Sequence, residues 1–302
     1  MLPLYEKKKL GKCIGSKEKK VVYMQLKETT FSGGLSDRFR GIVSVYKMCR
    51  EQGLKFKVHF DGMDLTDYLD VADYDWQISD DEICYDCSRV YPCTILTYHS
   101  NLNDQLQKWA QNKFLRCYLK KNYGQIHVYT NMATAEDEYG RLFRELFKPT
   151  AELQKLIDYH KNQLCGGYDA VVFRMRQLFG DFVDGGYTLP ENERKLYMDR
   201  CLRFVKQHIV NGKKLLVTSD SKSLLDEIAK IDGAYVIPGE VVHVGFTLNA
   251  QKAIYMKSFV DYFVLADARK ITLVRDQRMY HSGFAKRAAL LNGAEYKEEW
   301  MK

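Results

Sequence analysis

Short apolar runs with the period of a strand alternate with stretches of helical period along nearly the whole chain. "VVYMQL" (21–26), "KFKVHF" (55–60), "TILTY" (94–98) and "QIHVYT" (125–130) read as strands. A helix is expected from about Ser36, where Phe39, Ile42, Val43, Tyr46 and Cys49 recur at helical spacing and Gly53 closes it; another is expected over 102–120. Past residue 150 come the helix "TAELQKLIDYH" capped by Thr150, the strand "YDAVVFRMR" (168–176), and a helix opened by Pro190 with Tyr197, Cys201, Phe204, Val205 and Ile209 on one face. "KKLLVTSD", "SLLDEIAKI" and "AYVIP" continue as strand, helix and strand; a helix over 253–266 leads to the strand "KITLVR" and the last unit, "YHSGFAKRAALLNGAEY", with Gly293 as a cap. Such alternation closes as an α/β fold with mainly parallel sheets, because parallel neighbours need a crossover helix between them. Two βα-rich halves are expected, 1–150 and 151–302, with a ligand beyond the carboxyl ends of their strands.

Composition narrows the class. The chain has 302 residues, 46% apolar and 28% charged, as a soluble globular protein does. It has no run of 18 apolar residues, and Met1 is followed by a basic stretch rather than a signal peptide, so a cytoplasmic location is expected. The eight cysteines are expected to be reduced thiols. Cys84 and Cys87, with Cys93 nearby, have half the look of a zinc site, but a second knuckle is missing and no metal is expected. The net charge of +7 is concentrated in "EKKKLGKCIGSKEKK" (6–20), either a solvated tail or hairpin, or a segment drawn to an anionic membrane surface or polyanion. No nucleic-acid recognition module surrounds it.

Four stretches bear on chemistry. In "TTFSGGLSDRFRGI" (29–42), Gly33 and Gly34 precede a helix whose positive end suits an anion; the alternative is a tight turn that needs only a positive φ. Neither a dinucleotide nor a kinase-type glycine motif is present. "VVFRMRQLFGDF" delivers Arg174 and Arg176 at a strand end, on one face by alternation, with Asp181 after them; arginine suits a diphosphate, and paired surface arginines are the plainer alternative. "VTSDS" (217–221) ends a strand with Ser219 and Asp220, either of which could simply cap the next helix. Asp261 lies in the apolar helix "FVDYFVLADA", and His281, Ser282 and Gly283 open the last helix, where a second phosphate could sit.

Taken together, these stretches resemble the superfamily of α-1,2-, α-1,6- and protein O-fucosyltransferases, which includes the rhizobial nodulation enzymes. The resemblance covers most of the chain through short motifs. It implies a GT-B fold, two Rossmann-like domains facing a cleft, with the acceptor on the N-terminal side and GDP-fucose held mainly by the C-terminal half. It implies inverting, metal-independent transfer of fucose to a glycan hydroxyl, with no cofactor beyond the donor. It further implies bacterial surface-polysaccharide synthesis in the cytoplasm, at the inner membrane face if the basic run docks there. "SGGLSDR" is similar to the family's glycine loop, which gives Gly33, Gly34 and Arg38 donor-binding roles. "VFR" stands for its His-x-Arg motif, so Arg174 contacts the diphosphate and Val172 replaces the histidine; Arg176 joins it and Asp181 stands for the motif's acid, the candidate base. Asp220 matches the acidic position of the second motif, Asp261 the carboxylate that holds guanine, and His281, Ser282 and Gly283 the final serine-rich motif. The segment 59–76, rich in aromatics and carboxylates, is either an acceptor surface or an ordinary partly buried stretch. Two alternatives stay open: another nucleotide sugar as donor, or a catalytically silent binder.

Overall fold

The computed structural model describes residues 19–25, 33–96, 104–132, 135–182, 186–210, 212–242, 244 and 252–302. The chain divides into two compact units, 1–148 and 149–302.

In the first unit, β1 (Lys20–Gln25), β2 (Lys55–Phe60), β4 (Val90–Leu96) and β5 (Gln125–Thr130) form a parallel sheet in the order β2-β1-β5-β4. β1 is buried along its length, as the apolar run Val21, Val22, Tyr23 and Met24 requires of a central parallel strand. α1 (Leu35–Glu51) crosses from β1 to β2 and α2 (Asp104–Leu119) from β4 to β5. The stripe on α1, Phe39, Ile42, Val43, Tyr46 and Cys49, is buried, and Gly53 follows the helix at φ +64°. Gly41 has a different purpose. A Cβ there would lie 1.7 Å from the carbonyl oxygen of Thr130 and 2.7 Å from the Tyr23 hydroxyl, so α1 lies directly against the end of β5.

β3 (Leu69–Val71), α3 (Tyr139–Leu146) and β6 (Phe147–Pro149) were not marked by periodicity; β3 and β6 pair as a two-stranded sheet. The segment around β3 follows the plainer of its two readings. Tyr68 and Trp76 are core residues, Trp76 meeting Phe147 edge-on at 5.1 Å, and the Tyr74 hydroxyl accepts the Phe56 N–H at 2.7 Å. Tyr74 and Trp76 thereby tie the segment to β2 and β6.

One correction concerns the thiols. Cys84 is disulfide-bonded, whereas Cys49, Cys87, Cys93, Cys117, Cys165 and Cys201 are thiols. No group of metal-ligating side chains occurs among the described residues. Most of the basic run also lies outside them. Of its described lysines, Lys20 pairs with Glu82 at 2.7 Å and Lys19 donates to the Leu119 carbonyl at 2.6 Å.

His127 is fully buried in β5 beside Gln125 (Nε2 to Oε1, 2.9 Å). Burial, with a smaller contribution from the His59 charge, lowers its pKa from 6.5 to about 3. An unfolded chain takes up a proton below pH 6.5 that the folded chain refuses, so stability present above 6.5 is lost as pH falls toward 3. The slope is about 1.4 kcal/mol per pH unit, or about 2 kcal/mol by about pH 5. Urea unfolding of wild type and His127→Gln across this range should show a flatter profile for the variant; equal slopes would refute the assignment.

In the second unit α4 (Ala151–Gln163), capped by the Thr150 hydroxyl, leads into β7 (Asp169–Phe173). α5 (Glu191–His208), β8 (Leu215–Ser219), α6 (Lys222–Ile228) and β9 (Ala234–Tyr235) build outward on one side of β7. α7 (Lys252–Ala266) then carries the chain to the other side, to β10 (Lys270–Arg275), α8 (Gly283–Asn292) and β11 (Glu295–Trp300). All five strands are parallel, in the order β11-β10-β7-β8-β9. The core between β7, β8 and α5 includes Val171, Phe173, Cys201, Phe204, Val205 and Val217. No helix among the described residues is long and apolar enough to cross a membrane.

Candidate functional site

The strand order of the second unit reverses at β7, so the carboxyl end of that strand is a topological switch point, where open α/β sheets leave room for a ligand. Arg174 is the first residue past it. Phe173 pairs with Ser219, which sets the residues leaving β7 beside Asp220, the first residue past β8. The Asp220 carboxylate is buried and takes three donors from the neighbouring loop: the Arg174 guanidinium (Nη1), the Met175 N–H at 2.6 Å and the Arg176 N–H at 2.7 Å. Burial pushes this carboxyl up, and the Arg174 charge and the two N–H groups oppose that push.

Wrapping the loop around one carboxylate has a local cost. Arg176 takes φ +52°, left-handed backbone that a non-glycine residue adopts only when its surroundings impose it. β7 ends at Phe173, so strand alternation does not govern the two arginines that follow it. The Arg174 guanidinium lies 5.1 Å over the Phe182 ring and that of Arg176 lies 5.1 Å over Tyr280. Tyr280 is tied to the same loop, its N–H donating to the Arg174 carbonyl at 3.1 Å. Three loops, after β7, β8 and β10, thus meet around one arginine–aspartate pair.

Asp181 lies close by with a different partner set. Its Oδ2 accepts from the Ser221 hydroxyl (2.8 Å), the Ser223 N–H (2.8 Å) and the Ser223 hydroxyl (2.7 Å). It ties the arginine loop to the start of α6, whose N-cap is Ser221 rather than Ser219 or Asp220. Ser282 caps α8 through the Phe284 N–H, Gly283 is the first residue of that helix, and exposed His281 pairs with Glu298 at 2.8 Å.

Asp261 is not part of this cluster. It sits in the third turn of α7, buried, with Lys257 one turn before it and 2.6 Å from Oδ2, while Oδ1 has no hydrogen-bond partner among the described residues. Burial raises its pKa against the pull of Lys257 and, more weakly, of His160. His160 bonds Tyr235 at 2.7 Å, and Tyr235 pairs with Leu216, the second residue of β8. The Lys257 partnership was visible as an i,i+4 spacing but was missed. Val172, in the motif's histidine position, is a buried β7 residue between Thr218 and Leu273.

In the first unit, Gly33 and Gly34 follow β1, which is also a switch point, with β2 on one side and β5 on the other. Neither glycine has a left-handed φ; Gly34 is extended at φ −63° and is the N-cap of α1. Gly33 is required by close approach, since a Cβ would meet that of Asp37 at 2.6 Å. Its N–H donates to the Tyr129 hydroxyl at 3.0 Å, and its carbonyl accepts from Arg38 Nε at 3.0 Å. Arg38 is buried and lies over Phe60, so it braces the loop. The loop residues before Gly33 lie outside the described residues.

No protein-family model matches the sequence, and no curated protein matches it. Solved structures do. NodZ α-1,6-fucosyltransferase soaked with GDP-fucose aligns over 91% of this chain and 93% of its own, with a TM-score of 0.56 at 14% identity. Fucosyltransferase NodZ from Bradyrhizobium aligns over 91% and 94%, with a TM-score of 0.55 at 14% identity. A mutant of Arabidopsis thaliana FUT1 in complex with GDP aligns over 94% of this chain and 70% of its own, with a TM-score of 0.55 at 15% identity. The likeness that the motifs carried is met at the level of architecture: the chain has the GT-B fold of the fucosyltransferases.

Proposed function

We propose that this chain is an inverting, metal-independent fucosyltransferase that moves fucose from GDP-fucose to a glycan hydroxyl in surface-polysaccharide synthesis. The observation that carries this reading is Arg174, held by buried Asp220 at the switch point of β7. When the bond between the sugar's anomeric carbon and the β-phosphate oxygen breaks, negative charge grows on the phosphate. A guanidinium fixed beforehand stabilises that charge without reorganising. Arg176 and the N-terminus of α8 at Ser282–Gly283 supply further positive ends for the diphosphate. The acceptor hydroxyl attacks the opposite face of the anomeric carbon and gives up its proton. Asp181 serves as base only through the oxygen that Ser221 and Ser223 do not engage.

Asp261 enters this reading through Oδ1 alone, as acceptor for a guanine N–H, because Lys257 holds Oδ2. That hold favours a second reading, a GT-B transferase for a different nucleotide sugar. A thermal-shift panel of GDP, GDP-fucose, GDP-mannose, UDP and UDP-glucose separates them. A ligand at about 100 times its Kd stabilises the native state by about 2.7 kcal/mol. Guanine nucleotides alone should shift the wild type, and Asp261→Asn should lose the preference. A shift with UDP, or with nothing, refutes the GDP-fucose assignment; a GDP shift without turnover of GDP-fucose points to a silent binder.

A further inference from the structure

We propose that the outer face of α2 docks the protein on an anionic lipid bilayer. α2 is amphipathic in an unusual sense. Its inner stripe, Leu115, Tyr118 and Leu119, is buried, but its outer face is also apolar: Leu106 is 62% exposed, Trp109 60% and Phe114 49%. Spacings of three and five residues put Trp109 on one side of Leu106 and Phe114 on the other, within one half of the helix circumference. Exposed lysines are interleaved with them: Lys113, whose ammonium lies 5.1 Å over the Trp109 ring, and Lys120 and Lys121 at the helix end. Asp104 is the helix's single carboxylate in sequence, and the nearby Glu51 is paired with Arg116 at 2.6 Å.

A water-facing helix gains nothing from tryptophan and phenylalanine on its solvent side. A helix lying in a membrane interface does, because the rings enter the headgroup boundary while lysine stems reach back to lipid phosphates. The charge sign selects the surface: a net-positive apolar face complements anionic glycerophospholipid and has no complement in a zwitterionic bilayer. The inference is separate from the proposed transfer chemistry, since it uses no residue of that site.

The test is co-flotation of the full chain with phosphatidylcholine vesicles, with and without about 30 mol % phosphatidylglycerol. Trp109 fluorescence is read in a Trp300→Phe background, in which buried Trp76 is the other indole. Binding should require the anionic lipid and shift Trp109 emission to the blue. Trp109→Ser with Phe114→Ser should weaken binding at least about tenfold. Lys113→Gln, Lys120→Gln and Lys121→Gln should each cost about fivefold. All five positions are exposed, and circular dichroism checks that the variants fold. Absence of vesicle binding overturns the proposal. So does binding that survives both sets of variants, which would place it elsewhere, for instance in residues 6–20. Self-association or binding of a soluble polyanion that these variants abolish, without any vesicle binding, would also overturn it.

Discussion

Arg174→Ala lowers kcat/KM for transfer from GDP-fucose by a factor on the order of a thousand, while Arg174→Lys keeps part of the activity. The size follows from what is removed. A preorganised cationic donor aimed at a developing phosphate charge contributes roughly 3–4 kcal/mol to the barrier, and a lysine restores the charge without the fork that binds two oxygens. The alanine variant also leaves Asp220 buried without its guanidinium, and breaking such a pair typically costs about 3–5 kcal/mol of stability. Asp220 still keeps the Met175 and Arg176 N–H groups, so a smaller loss is expected here. Steady-state kinetics beside urea unfolding separate the two effects. A folded alanine variant within tenfold of wild type would sink the catalytic assignment, whatever its stability.

Gly41→Ala destabilises the first unit by about 3–5 kcal/mol, against the direction that helix propensity alone gives. In an exposed helix interior, alanine in place of glycine gains about 1 kcal/mol. Here the new methyl would lie 1.7 Å from a backbone carbonyl oxygen that cannot turn aside, so α1 must move off β5 by more than an ångström. That displacement opens the packing around Phe39 and Ile42 and breaks the fit with Tyr23. Gly124→Ala is the control: its Cβ would meet the Arg89 carbonyl at 3.5 Å, ordinary contact, and the change should cost less than about 1 kcal/mol. Denaturant midpoints for the two variants decide the matter, and equal midpoints would refute it.

The long periodic elements were legible because burial writes itself into composition. β1 is built on the apolar run Val21 to Met24 and α1 on a regular stripe, and both fell where periodicity put them. α3 escaped because eight residues give little more than two turns of signal. The aromatics of 59–76 were ambiguous for another reason: the same Tyr and Trp suit a sugar platform and a core corner, and only tertiary packing against Phe147 distinguishes them. At the candidate site, Arg174 and Asp220 were legible as residues, each at a strand end. Their bond was not, because it depends on the register that sets Phe173 beside Ser219. The left-handed turn at Arg176 left no trace either, since nothing in an arginine announces a positive φ that a distant carboxylate imposes.

That carboxylate ties the site together across a whole strand–helix–strand crossover, 46 positions from Arg174. Heredity must treat the two as one character. A lineage that lost the acid would leave an arginine with no fixed direction, and one that lost the arginine would leave a buried charge to be neutralised. Neither change is easily survived alone, so drift in this unit should pass through both positions together or spare both. A short signature drawn around either end holds only half of that character.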